Sequence, residues 1–158
     1  MSVAIIITET GFARADAALA KIENFRPEPM LEGIARLLQQ QTRRRIEEEK
    51  VGPNGERWPA NSGRTSTLFR EGHLSRSIDY QVSGNQITLG SGLIYAAIHQ
   101  YGGPIVAKNA AALAFRIGNA FVRVKKVQMP ARPYLGLSAE NRAEIIDEVA
   151  AYIRRLIG

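Results

Sequence analysis

Two glycine-asparagine dipeptides, Gly84-Asn85 and Gly118-Asn119, each stand between runs in which apolar and polar residues alternate. That combination specifies antiparallel hairpins: the dipeptide tolerates the positive φ of a tight turn, and period-two alternation fits a half-buried strand. In the first hairpin Ile78, Tyr80 and Val82 share a face that Ile87 and Leu89 continue. In the second, Leu113–Ile117 leads into the turn and Ala120–Val127 leads out of it. A β-branched run at Val3–Thr8 reads as a further strand.

Helical periodicity flanks these strands. Phe12 to Phe25 carries Phe12, Ala15, Leu19 and Ile22 near one stripe, and Pro27 and Pro29 end it. A long helix follows from Pro29 to Lys50, about 33 Å at 1.5 Å per residue, with Met30, Ile34, Leu37 and Leu38 on its buried face. Its second half turns charged. Arg43, Arg44 and Arg45 precede Glu47, Glu48 and Glu49 at four-residue spacing. This predicts three i,i+4 pairs on a solvated face or, alternatively, an intersubunit surface, with Ile46 as its anchor or packed locally.

A Gly/Pro/Asn/Ser-rich loop covers Val51–Ser66 and holds the lone tryptophan, Trp58. A short turn or helix is expected at Leu68–Leu74, a short helix at Tyr95–Tyr101, and irregular chain over 104–112. Gln128–Leu137 is proline-bounded and extended. The last helix starts at a Ser138 cap, with Ile145, Val149, Ile153 and Leu156 as its buried stripe, flanked by Ile146 and Ile157. Strands grouped between helices imply an α+β fold, an antiparallel sheet of hairpins covered on one face by the long helix and the C-terminal amphipathic helix. At 158 residues the chain is expected to be a single domain, 1–158.

Composition narrows the chemistry. With no cysteine there is no disulfide framework and no thiolate nucleophile or metal ligand. Two isolated histidines, His73 and His99, match no metal-ligand or catalytic template, and the glycine clusters lack the Lys-Ser/Thr of a phosphate loop. His73 lies near Glu71, and a long-range Glu71–His99 pair is conceivable on paper, yet nothing recommends it. No enzymatic role, no cofactor and no metal site are expected. No apolar run approaches the ~20 residues of a membrane span, and Met1–Thr10 lacks the basic start of a secretory signal. A protein made in the cytoplasm, without membrane contact, is the expectation.

The net charge of +6 is unevenly placed. No acidic residue occurs between Asp79 and Glu140, where Lys108, Arg116, Arg123, Lys125, Lys126 and Arg132 supply six positive charges. The rest of the chain carries fifteen of each sign. A segment of one sign suits nucleic acid or an acidic protein partner.

Four blocks in order are more specific: Gly52-Pro53-Asn54-Gly55-Glu56-Arg57-Trp58-Pro59, Gly72-His73-Leu74-Ser75-Arg76-Ser77-Ile78, Tyr95-Ala96-Ala97-Ile98-His99-Gln100-Tyr101-Gly102 and Pro130-Ala131-Arg132-Pro133-Tyr134-Leu135-Gly136. Together they resemble the virion-morphogenesis, or tail-completion, family of tailed bacteriophages, particularly its Mu-like members. The residues that carry the resemblance are Gly55, Trp58, Gly72, Leu74, Tyr95, His99, Gly102, Pro130, Arg132 and Pro133, whereas residues 103–128 carry none of it. The resemblance implies a structural virion protein at the tail end or head–tail junction, commonly a homo-oligomeric ring, in contact with other tail or neck proteins. Nonspecific contact of the basic segment with packaged DNA fits that setting. The alternative from the residues alone is a small basic nucleic-acid-binding protein, and a weaker one is a hydrolase with an unrecognised acid–base pair.

Overall fold

The computed structural model describes residues 3–7, 25–108 and 110–157. Strand β1 (Val3–Ile7), helix α1 (Glu28–Arg44), helix α2 (His73–Arg76), strands β2 (Ile78–Ser83) and β3 (Gln86–Ser91), and helix α3 (Ala96–Tyr101) come first. Strands β4 (Gly103–Val106), β5 (Leu113–Ile117), β6 (Ala120–Val124) and β7 (Lys126–Met129) follow, and helix α4 (Ala139–Ile157) closes the order. The architecture is α+β. The helix expected over Phe12–Phe25 lies outside the described residues apart from Phe25, which is not helical.

The first hairpin is the centre of the molecule. Antiparallel β3 lies between β1 and β2, with Ile5 opposite Leu89 and Tyr80 opposite Leu89 on its other side. The alternation expected for this hairpin holds: Ile78, Ile87 and Leu89 are buried, and Tyr80 and Val82 are half-buried. A Cβ at Gly90 would meet the Val3 carbonyl oxygen at 2.2 Å, so glycine is what lets β1 approach β3. Helix α1 packs on this sheet through Met30, Leu31, Ile34, Ala35 and Leu38, a stripe at helical spacing.

Beyond Arg44 the long helix widens into a π turn, Arg45–Glu49, that ends on left-handed Lys50. The Lys50 N–H bonds the Arg45 carbonyl, an i→i+5 step, and the same widening brings Glu49 to Arg44 at 2.8 Å. Simple i,i+4 pairing is therefore corrected. Only Arg45–Glu49 keeps that spacing, at 4.0 Å, while Arg43 turns inward to the carbonyl oxygens of Ser75 and Ile78. Ile46 is fully buried within the chain.

The second hairpin does not join the sheet. Among the described residues β5 and β6 pair only with each other, and β4 pairs with β7, so residues 104–106, expected to be irregular, are strand. The expected strand Ala120–Val127 is interrupted at Lys125. Residues 103–129 thus form one long two-stranded arm, and no described residue in it is buried. Helix α4 starts as expected, with the Ser138 Oγ accepting from the Asn141 N–H and Asn141 Oδ1 accepting from the Ser138 N–H. Its expected stripe faces inward at Ile145, Val149 and Ile153 and is corrected at Leu156. Asn141 and Ile145 are buried and Val149, Tyr152 and Ile153 half-buried, while Ile146 and Leu156 are 66% and 44% exposed. The Ile157 side chain lies outside the described set.

Candidate functional site: a motif hub and a cationic arm

Of the motif blocks, His73 and Leu74 of the second line a cleft with Arg132, while the blocks of Trp58 and of Tyr95–Gly102 bond the last, Pro130–Gly136. This stretch is extended but belongs to no sheet, so its backbone groups need partners from elsewhere. Side chains supply them. Gln100 Oε1 accepts from the N–H groups of Tyr134 and Leu135, each at 3.0 Å, and Gln100 Nε2 donates to the Leu135 carbonyl. The Trp58 indole N–H donates to the Pro133 carbonyl at 3.0 Å, so its pocket is in its own chain. Arg45, 1% exposed, donates to the carbonyl oxygens of Tyr134 and Gly136 and to Asn141 Oδ1.

The remaining motif residues complete the hub. Arg132 is buried and its guanidinium reaches the carbonyl oxygens of Pro59 and Ala60, stapling the Trp58 loop from the other side. The Arg132 N–H bonds the His99 carbonyl at 2.8 Å, and the Tyr134 hydroxyl donates to the Ala96 carbonyl. Gly102 has φ +68°, and a Cβ there would lie 2.6 Å from the Ala131 nitrogen. Gly55, at φ +83°, sits in the tight turn ahead of Trp58, and Gly72, at φ +72°, caps α2 so that Leu74 enters the core. Pro130 and Pro133 hold the stretch extended.

A cleft of about 520 Å³ opens beside the hub, lined among others by Leu68, Phe69, Tyr95, His99, Met129 and Arg132. Tyr95 meets the His99 ring edge-on at 5.8 Å. Burial and then the charge of Arg132 hold the His99 imidazole below its ordinary value, and its Nδ1 has no hydrogen-bond partner among the described residues. At the rim Glu71 bonds His73 at 3.0 Å rather than His99. No group of three His, Asp or Glu among the described residues is placed to hold a metal ion.

The basic residues singled out from sequence land together on the arm: Lys108, Arg116, Arg123, Lys125 and Lys126 are all exposed. Arg132 is the exception, buried in the hub. Of the charged run in the long helix, Glu47, Glu48 and Glu49 are exposed, Arg44 bonds Glu49 and Glu144, and Arg45 is interior. An intersubunit role for Arg45 is excluded by that burial, since its side chain is enclosed and its two terminal nitrogens bond within the chain. Sequence reading missed Arg45, Gln100 and the pairing of Gln41 with Glu144 at 2.6 Å. The one available signal was a polar residue inside an otherwise apolar stripe.

The motif thus spends its polar groups on backbone satisfaction, next to a cationic arm in which no described residue is buried. The chain is a member of the phage virion morphogenesis family, whose profile matches residues 11–154. It is 33% identical over 85 residues to Mu-like prophage FluMu G protein 2 of Haemophilus influenzae, covering 54% of this chain and 50% of that protein. It is 36% identical over 85 residues to the putative capsid assembly protein G of Escherichia phage Mu, covering 53% of this chain and 44% of that one. The match thus spans about half the length of these relatives. No solved structure matches the chain. No helix among the described residues is long and apolar enough to cross a membrane.

Proposed function

We propose that this protein is a non-catalytic virion component that completes the tail or joins head to tail, as a homo-oligomeric ring of the terminator or neck type. The observation that carries this is the arm. Five basic and no acidic residues occupy an exposed ribbon rooted directly in the motif hub. A ring at the tail end or neck encircles the path of the genome, and a cationic ribbon turned toward that path neutralises phosphates without reading sequence. The family and the name of the phage Mu relative, a putative capsid assembly protein, support an assembly role. Tail or neck neighbours would be its other partners.

One feature favours direct contact with nucleic acid, the runner-up reading. Arg116 stands opposite Phe121 on the ribbon, and Arg123 follows on the same face, so an exposed aromatic residue neighbours two arginines. The deciding experiment is a double substitution of Arg116 and Arg123 to glutamate, with electron microscopy of the assembled particle. A lumen role predicts that rings still form while genome retention or passage fails, and that the unaltered protein binds DNA weakly and in a salt-sensitive way. Loss of attachment to a tail or neck neighbour, with the charges facing outward, contradicts it.

A further inference from the structure

The arm is amphipathic across its thickness. Cross-strand pairs Leu113–Val124, Phe115–Val122 and Ile117–Ala120 put six apolar side chains on one face, and Ala114, Arg116, Phe121 and Arg123 occupy the other. A two-stranded ribbon on its own is marginal in water, and among the described residues its apolar face is at most half-buried. Helix α4 holds a surface of matching character on its outer side. Ala139, Ala143, Ile146 and Ala150 recur at spacings of four and three, opposite the face that buries Asn141 and Ile145. The first three of these are exposed, and Glu140 and Asp147, also exposed, border the stripe on one side.

We propose that the apolar face of the arm of one copy lies across this outer stripe of α4 in a second copy. Lys125 and Lys126, at the break in the ribbon, then meet Glu140 and Asp147. Charge selects the second copy's helix over its arm: every arm carries five positive charges and no acid, so arm against arm is repulsive. Because the two surfaces differ, the contact is head-to-tail, and such contacts propagate until the rotation closes a ring. Arg116 and Arg123 remain on the free face. This deepens the ring reading above and rests on it only for closure.

The chain has no cysteine, so two can be placed without background. Val122→Cys on the ribbon and Ala143→Cys on α4, in one chain, are treated with a short bismaleimide at native assembly concentration. The expected result is a ladder of dimer, trimer and larger species, whereas a mixture of the two single-cysteine proteins stops at the dimer. In parallel, Lys125→Glu with Lys126→Glu weakens self-association about tenfold or more, and adding Glu140→Lys with Asp147→Lys restores it. Self-linking by Val122→Cys alone, a link confined to one chain, or failure of the charge swap to rescue overturns the docking. Micrographs of the unlinked protein separate the two claims. Closed rings without the ladder leave the ring reading and overturn the arm contact, and a ladder of open chains does the reverse.

Discussion

Residues 103–129 and residues 130–136 adjoin in the chain and are held by opposite means. The arm has regular ladders, two of them in good register, but not one buried residue among those described. The hub has no ladder, yet Arg132, Tyr134 and Leu135 are buried and their neighbours' backbone groups are met by Arg45, Trp58 and Gln100. Regular hydrogen bonding is therefore no measure of what stabilises this fold. Burial and the satisfaction of buried polar groups are, because a buried group left unpaired costs more than an exposed bond gains.

The largest expected effect breaks the hub. Arg45→Ala strands the Tyr134 and Gly136 carbonyl oxygens and leaves Asn141 Oδ1 only its Ser138 donor, and should cost about 3–5 kcal/mol in urea unfolding. Arg45→Lys should rescue only part of this, since an ammonium lacks the planar fork. Next, Ile145→Ala should cost about 2–4 kcal/mol and Ile153→Ala clearly less, because only the first is buried in the subunit. Trp58→Phe keeps the ring but removes the donor to Pro133, for roughly 1–2 kcal/mol.

A pH titration sharpens the same contrast. Burial holds His99 below its ordinary value in the folded chain, so the unfolded chain takes up the proton first as pH falls. Stability from this group is complete above the unfolded value, near pH 6.5, and declines as pH drops toward the folded value. His99→Gln should flatten the fall of Tm in that window. The smallest effect belongs to the arm: Phe121→Ala or Arg123→Ala should change monomer stability by less than about 0.5 kcal/mol.

Sequence periodicity found both hairpins, because alternation and a Gly-Asn turn are local signals. It did not tell the central one from the projecting one. That difference depends on α1 covering Ile78, Ile87 and Leu89, whereas Phe115 and Val122 are only half-buried among the described residues. Hub chemistry was legible only as motif blocks, since its bonds join residues as far apart as Arg45 and Gly136. A buried arginine inside an Arg-Arg-Arg run reads as surface charge until its partners are in place. On α4 the helical spacing does pick the inner side, with Ile145 interior and Ile146 outside; what it cannot show is that the packing stops short of Leu156.

Hydrogen exchange on the full-length protein, dilute and then at assembly concentration, tests most directly the claim that the hub holds the fold and the arm serves assembly. Amides of Tyr134 and Leu135, bonded to buried Gln100, should exchange at the slow global rate in both conditions. Amides of 113–124 should exchange fast in the dilute protein and slow sharply on assembly. Arm amides as protected as the hub in the dilute monomer, or unprotected in the assembled protein, would contradict the account.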